Sequence, residues 1–290
     1  MFEFISEYSQ SFINRIRQHR AKLKGTLPVP VLKTYGQCPT CLQKACFSAR
    51  DPWLRDHYLC SNCGSLPRER ALMQAIETFF PKWPSLIIHE SSPCNRGASM
   101  RLSRDCPQYI PSQYFPDQKP GSFSGSFRNE NLETLTFEDN SIDLHITQDV
   151  LEHIFHPSKL FKEIARTLKP GGAHIFTVPM VNKDKPSRLR ARIGDDQKIL
   201  HLEPPVYHGN PISDKGSLVT IDWGFDICRY IFEACGLFTY FVHIDDLSKG
   251  IRAEYIEVLI TVKPNSLPAA ILNLGTGGVR LRTASHFSSA

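Results

Sequence analysis

Residues 131–179 read NLETLTFEDNSIDLHITQDVLEHIFHPSKLFKEIARTLKPGGAHIFTVP. Ile142, Leu144 and Ile146 alternate with polar residues, which predicts a strand over 141–147. In 157–168, Leu160, Phe161, Ile164 and Leu168 fall on one helical face, and Pro170-Gly171-Gly172 is read as the stop. AHIFTVP (173–179) follows at once as a second strand. Upstream, SLIIHE (85–90) is a strand ending at a carboxylate, and YIPSQYF (109–115) is a weaker one. Downstream, IDWGFDICRYIFEACGL (221–237) reads as a helix stopped by Gly236, then FTYFVHI (238–244) and YIEVLITV (255–262) as adjacent strands. Such alternation predicts an α/β fold with a doubly wound, mostly parallel sheet and an antiparallel pair at one edge.

The remaining sequence divides around this core. Phe2, Ile5, Tyr8, Phe12, Ile13 and Ile16 predict an amphipathic helix over 1–23, stopped by Gly25, Pro28 and Pro30. It is read as packing on the neighbouring domain, with a membrane-surface role as the alternative. Residues 36–65 lack a hydrophobic period, and Pro67 then opens a helix bearing Leu72, Met73, Ile76, Phe79 and Phe80. The Gly/Ser/Thr-rich end is read as a flexible tail. The expected division is 1–34 helix and linker, 35–70 cysteine module, 71–264 α/β domain and 265–290 tail.

Hydrophobic residues at 41% and charged residues at 22% exclude a largely disordered chain, a coiled coil and a collagen repeat. No apolar run approaches the roughly 18 residues of a membrane span. Glu3 and Glu7 interrupt what a signal peptide would keep apolar, so a cytoplasmic location is expected. The net charge of +5 sits entirely in the first quarter, where residues 1–70 carry eleven Lys/Arg against five acids. That bias fits a solvated basic face or an anionic partner.

Five of the nine cysteines lie between residues 38 and 63. Cys38, Cys41, Cys60 and Cys63 form C-x2-C-x18-C-x2-C, two knuckles able to place four thiolates around one zinc. Such a site is structural and closed, and it supplies folding energy to a segment too small for its own core. Cys46 is a spare whose spacing fits less well. Two buried thiol pairs without metal, or a redox dithiol, are the alternatives.

The run from Leu135 to Asp143, then Val150-Leu151-Glu152-His153, then Leu168-Lys169-Pro170-Gly171-Gly172 resembles class I S-adenosylmethionine-dependent methyltransferases of the type 11 group. The resemblance spans about residues 85–262. HLEPPVYHGNP (201–211) and GSLVTIDWGFD (216–226) are similar to a subgroup that carries an N-terminal zinc-ribbon-like segment and is often associated with surface-glycan modification. It implies a Rossmann-like sheet of seven strands, with S-adenosylmethionine as cofactor and zinc in the ribbon.

In such a sheet the ligand lies beyond the carboxyl ends of the strands. The resemblance therefore implies cofactor contacts from Glu90, Ser91 and Ser92 after the first strand and Gln113 after the second. It adds Asn131 and Leu132 after the third, and Gln148 and Asp149 after the fourth. Asn131 would pair with adenine through its amide oxygen, and Leu132 would offer a backbone N–H and an apolar wall. Two positions depart from the family: Glu90-Ser91-Ser92-Pro93-Cys94-Asn95-Arg96-Gly97 replaces a glycine-rich loop, and Gln113 replaces the acid that takes the ribose hydroxyls.

Methyl transfer is an in-line displacement in which the protein chiefly aligns the reactants, and an alcohol acceptor also needs a base. His153 is the first candidate for that base, with a packing or capping role as its alternative. His208 and Tyr207, in a long loop between core elements, are second candidates as acceptor contacts, while His156 and His201 are read as surface or structural and Glu152 as fixing local structure. No spacing outside the cysteine cluster reads as a catalytic metal site, since His89 and Glu90 face opposite sides of a strand. The expected function is O-methylation of a small-molecule or glycan-linked acceptor. The alternatives are an RNA methyltransferase using the basic N-terminal region, with Trp53 and Tyr58 as stacking aromatics, and a non-catalytic module.

Overall fold

A computed structural model describes residues 29–210 and 213–265. The helix expected over 1–23 and nearly all of the 265–290 tail lie outside the described residues. The first unit is an antiparallel sheet of β1 (Leu32–Gln37), β2 (Lys44–Ala49) and β3 (Leu59–Cys60), with the one-turn helix α1 (Leu54–His57) before β3. Its own core is small, with Phe47 and Tyr58 packed among Cys38, Ala45, Ala49 and Cys60.

Helix α2 (Pro67–Phe79) leads out of this sheet, Pro67 at its first turn and Glu69 accepting the Leu66 N–H at 2.8 Å. There follow β4 (Ile88–Ser91), α3 (Gly97–Asp105), β5 (Tyr109–Gln113), β6 (Phe123–Ser124), β7 (Phe127–Asn129), β8 (Ile142–Gln148), α4 (Pro157–Thr167) and β9 (Leu168–Thr177). Six short strands come next: β10 (Arg188–Leu189), β11 (Ala191–Ile193), β12 (Ile199–His201), β13 (Tyr207–Asn210), β14 (Ser213–Leu218) and β15 (Ile221–Asp222). Helix α5 (Ile227–Cys235), β16 (Phe238–Val242) and β17 (Val258–Val262) complete the described chain.

The main sheet has the order β16-β17-β9-β8-β4-β5-β7-β6. Strands β9, β8, β4, β5 and β7 are parallel neighbours, whereas β17 runs antiparallel between β9 and β16. The seven expected strands are thus present, with the two-residue β6 added antiparallel at the far edge. One apolar core packs α2 and α3 against Ile88, Leu144, Ile146, Ile175 and Ile260 on one face. A second packs α4 and α5 with Phe176, Trp223 and Leu259 on the other.

Three local expectations change. The helix read as ending at Pro170-Gly171-Gly172 ends at Thr167, and those residues already belong to β9. Lys169 precedes a proline and is steered into extended backbone. Gly172 also lets β9 close on β8, since a Cβ there would meet the Asp143 carbonyl oxygen at 2.6 Å. Of the helix read over 221–237, only Ile227–Cys235 is helical, because Ile221 and Asp222 pair with Leu189 and Arg188. The segment read as one long loop before it folds as hairpins.

The polar residues His145 and Thr147 that alternate in β8 are buried, because helices cover both faces of the sheet. Their polar atoms are paired inside the sheet. Thr167 Oγ1 donates to the Glu163 carbonyl at 2.8 Å, so His145 Nε2–H donates to Thr167 and His145 Nδ1 accepts from His89 Nδ1–H at 2.8 Å. His89 Nε2 then accepts from the Ser112 hydroxyl at 2.7 Å. His174 Nε2 meets Thr147 Oγ1 at 3.0 Å.

Candidate active site

The direction of the sheet connections reverses between β4 and β8, which puts the ligand crevice of an open α/β sheet beyond their carboxyl ends. Glu90 is buried there as an anchor, its two oxygens accepting from Ser99 Oγ (2.7 Å), Gln148 Nε2 (2.7 Å) and Tyr109 Oη (2.7 Å). Burial raises its carboxyl above the usual range, against the pull of those three donors. Ser92 follows in left-handed backbone, and Gly97 has φ +59° at the start of α3. A Cβ on Gly97 would run into the Glu69 side chain, so this glycine serves close packing against the buried carboxylate that also pairs with Arg96 at 2.8 Å.

Gln113 ends β5, and its side chain makes no hydrogen bond among the described residues. Asn131 Oδ1 accepts the Glu133 N–H at 2.9 Å, so one lone pair of the amide oxygen is already used in a local turn. The Leu132 side chain is part of the second core, and its backbone N–H has no acceptor among the described residues. Gln148 points at Glu90, as described. Asp149, in left-handed backbone, pairs with Arg55 and Arg68 at 2.8 Å each and accepts from Thr177 Oγ1 at 3.1 Å. Burial would push its carboxyl up, but the two guanidiniums outweigh that and hold it below the usual range.

Arg55, Arg68 and Glu69 reach the crevice from the cysteine module and the start of α2, which sequence reading did not anticipate. The available signal was the charged run Pro67-Arg68-Glu69-Arg70 directly after the second knuckle. The module is seated by further contacts. Arg70 is fully buried against the Phe47 and Tyr58 rings and donates to the carbonyls of Gly250 (2.9 and 2.6 Å) and Tyr58 (2.7 Å). Thr34 donates to the Leu247 carbonyl at 3.0 Å, and Arg55 to that of Tyr255 at 3.1 Å.

The sulfurs of Cys38, Cys41, Cys60 and Cys63 lie within 4.8 Å of one another, and no cysteine is in a disulfide. Zn–S bonds of about 2.3 Å in a tetrahedron place sulfurs about 3.8 Å apart. Cys38 Sγ and Cys63 Sγ lie 3.8 Å apart, so the donor set fits such an ion. Arg70 gives a second reason. Among the described residues it has no carboxylate within ion-pair distance, and among the groups that favour its charge Cys38 and Cys60 come first. A metal held by four thiolates carries the negative charge a buried guanidinium needs.

The turn after β8 builds a different cluster. The short 3-10 helix Leu151–His153 is held by Thr220, whose N–H donates to the Glu152 carbonyl at 2.7 Å and whose hydroxyl donates to that of Ile154 at 2.7 Å. His153 Nδ1–H donates to the Leu218 carbonyl at 2.8 Å, at the end of β14. The β13–β14 hairpin is thereby pinned to the turn, and a register shift between His208 and Asn210 breaks its ladder at His208. His208 Nδ1 lies 3.6 Å and His153 Nε2 3.8 Å from Glu152 Oε1. The Glu152 carboxylate raises the proton affinity of His208 against the effect of burial, and Asp149 and Arg55 are close enough to act on it too. Tyr207 is 55% exposed on the same hairpin. His156 pairs with Glu133 at 2.7 Å, and His201 is exposed in β12.

Strand order and crevice define a Rossmann-like α/β fold, and one stretch of the sequence matches a family model. Residues 112–176 match the family model of the methyltransferase domain. The chain carries a methyltransferase-domain match within its Rossmann-like sheet, with a four-cysteine module ahead of it. Similar solved structures include an S-adenosylmethionine-dependent methyltransferase from Mesorhizobium loti, 11% identical over 66% of this chain and 97% of that one, with a TM-score of 0.42. Another, from Methanosarcina mazei, is 14% identical over 66% and 98%, with a TM-score of 0.41. The 1,6-didemethyltoxoflavin-N1-methyltransferase of Burkholderia thailandensis is 12% identical over 68% and 79%, also at 0.41. No curated protein matches the sequence. No helix among the described residues is long and apolar enough to cross a membrane.

Proposed function

We propose that this methyltransferase modifies a hydroxyl group of a small-molecule or glycan-linked acceptor, activated at the Glu152–His153–His208 cluster. The observation that carries this reading is the fixed tautomer of His153. Its Nδ1–H is committed to Leu218, so the Nε2 lone pair faces Glu152 and His208. An alcohol must lose its proton as it attacks, and this cluster is the basic group beside the carboxyl end of β8. S-adenosylmethionine, when bound, supplies an electrophilic methyl on a sulfonium sulfur. The residues that would hold it fit its polar groups. The free amide of Gln113 suits the ribose hydroxyls, and the unpaired N–H of Leu132 suits adenine, with Asn131 beside it. Ser91 and Ser92 line the methionine side, where Asp149, braced by Arg55 and Arg68, would meet the ammonium. Glu90 and Gln148 act behind these groups by holding the strand ends in place. The cysteines would hold zinc.

Of the basic residues behind the RNA-directed reading, Arg15, Arg17, Arg20, Lys22 and Lys24 lie outside the described residues, and those described are committed within the fold. Arg55 and Arg68 are spent on Asp149, and Arg70 is buried on carbonyls. Tyr58 is buried, and Trp53 donates its indole N–H to Asp56 at 2.8 Å. Calorimetry of the full chain with S-adenosylmethionine and its demethylated product tests the cofactor part, and transfer of labelled methyl to a panel of alcohols, amines and RNA tests the acceptor. Binding together with transfer to alcohols is expected. Absence of binding heat at millimolar cofactor, or transfer confined to amines or RNA, would overturn the reading.

A further inference from the structure

We propose that Glu152, His153 and His208 form a second metal site, holding one divalent first-row cation through two imidazoles and one carboxylate. The inference rests on the hydroxyl-acceptor reading and changes how the cluster acts: with His153 Nε2 on the metal, acidification of the acceptor by the cation replaces direct proton transfer to that nitrogen. Its first support is the state of Glu152. The residue is 2% exposed, and neither carboxylate oxygen has a hydrogen-bond partner among the described residues. A carboxylate taken out of water in this way needs a compensating cation at close range. Arg55 and Arg68 are already paired with Asp149. The groups that remain beside Glu152 are two imidazoles.

Those imidazoles are arranged as ligands. One donor atom from each of the three residues lies within 4.8 Å of the others, and the two distances to Glu152 Oε1 are 3.6 and 3.8 Å. Bonds of about 2.1 Å around a tetrahedral ion need donor separations of about 3.4 Å, so small side-chain adjustments complete the set. Distances of 3.6 Å and more are too long for hydrogen bonds between the same groups. His153 also carries the outer contact of a metal-bound histidine, a backbone carbonyl on Nδ1–H that leaves Nε2 free to coordinate. Thr220 fixes the main-chain carbonyls of Glu152 and Ile154, and Leu218 fixes the His153 ring, so the backbone that carries the set is tied to the hairpin.

The donor chemistry separates this site from the cysteine cluster. Two nitrogens and one carboxylate oxygen with open positions suit iron(II), manganese(II), cobalt(II) or zinc(II), whereas four thiolates make a closed site selective for softer ions. His208 is 43% exposed at the side chain, so the open positions are reached from solvent. An acceptor hydroxyl entering there is acidified by the cation and loses its proton to solvent water. The acceptor oxygen then forms its bond to the methyl carbon as the methyl–sulfur bond breaks, leaving a methyl ether and a neutral thioether.

The test uses the full chain, purified with its thiolate-bound metal and dialysed against a mild chelator to clear weaker sites. Titration with manganese(II) chloride, followed by electron paramagnetic resonance and elemental analysis, should show one manganese per chain above the metal held by the cysteines. Glu152→Gln and His208→Ala should each weaken that binding at least tenfold and leave the cysteine-bound metal unchanged, which reports that the variants are folded. No manganese taken up by the wild-type chain, or equal uptake by folded variants, would overturn the site. Calorimetry with S-adenosylmethionine on the same preparations separates the two proposals. Cofactor binding and alcohol methylation without a second metal refute this site alone, and a second metal without cofactor binding refutes the function alone.

Discussion

His89, His145 and His174 lie inside the sheet, and His153 and His208 lie at its carboxyl edge beside Glu152. The inner three are fully buried, and those in the His89–His145 chain have a partner on each ring nitrogen. Burial lowers their proton affinity, to about 3 for His89 and His174 and well below the ordinary value for His145. His89 and His145 are neutral links in a closed hydrogen-bond chain, and His174 is a neutral ring held by Thr147 through Nε2, its buried Nδ1 without a partner among the described residues. The outer pair has one ring nitrogen anchored, a buried carboxylate with unsatisfied oxygens, and an opening to the crevice. The same side chain is therefore structural or chemical according to whether its partners are used up by the fold.

Acid should expose this difference most strongly. Each inner imidazole stays neutral in the folded chain and takes up a proton near pH 6.5 once unfolded. Stability is full above about 6.5 and falls as the pH drops toward 3, by about 1.4 kcal/mol per pH unit for each group. Glu90 works in the opposite sense over part of that range, because burial raises its carboxyl. The net loss is roughly 3–4 kcal/mol per pH unit, which lowers the melting temperature by roughly 10–20 °C between pH 7 and pH 5. A flat melting curve across that interval would show that the inner histidines are hydrated or charged.

Substitution separates the two clusters next. His153→Ala should lower turnover by about 10² to 10⁴ with little change in melting temperature, measured with the best alcohol acceptor. His145→Ala should do the reverse. It leaves a cavity and strands the partners at His89 and Thr167, costing about 2–4 kcal/mol of stability in denaturant titrations, with kcat within a few-fold of wild type. Exchange of these two outcomes would invert the assignment. Arg55→Ala is smaller still. It takes one of two cations from Asp149, and cofactor affinity should fall by about tenfold by calorimetry, corresponding to about 1.4 kcal/mol. Unchanged affinity would mean that the module braces the crevice without tuning it. Tyr207→Phe should change turnover less than about twofold, because the phenol makes no hydrogen bond among the described residues and one neutral hydrogen bond is worth about 1 kcal/mol. A larger loss would move the acceptor contact onto the hairpin tip.

Local pattern carried much of the architecture. The alternation of β8, the apolar face of α4 and the run of β9 are periodic over neighbouring residues, so they were legible without any contact. The cysteine site was legible for the same reason, since its four ligands come as two knuckles of fixed spacing. Boundaries slipped where packing overrides the local signal, as at Lys169–Gly172, where a glycine read as a stop lets two strands touch.

The amino-acid sequence by itself determined the α/β class, the cysteine cluster and the candidacy of His153, because each is written in residues close together along the chain. Tertiary structure alone decided that Asp149 meets Arg55 and Arg68, 94 and 81 positions earlier, and that the hairpin returns His208 to Glu152. It also decided that His145 is inert. A side chain's chemistry depends on which of its polar atoms remain unpaired after folding, and the partners that pair them come from distant segments.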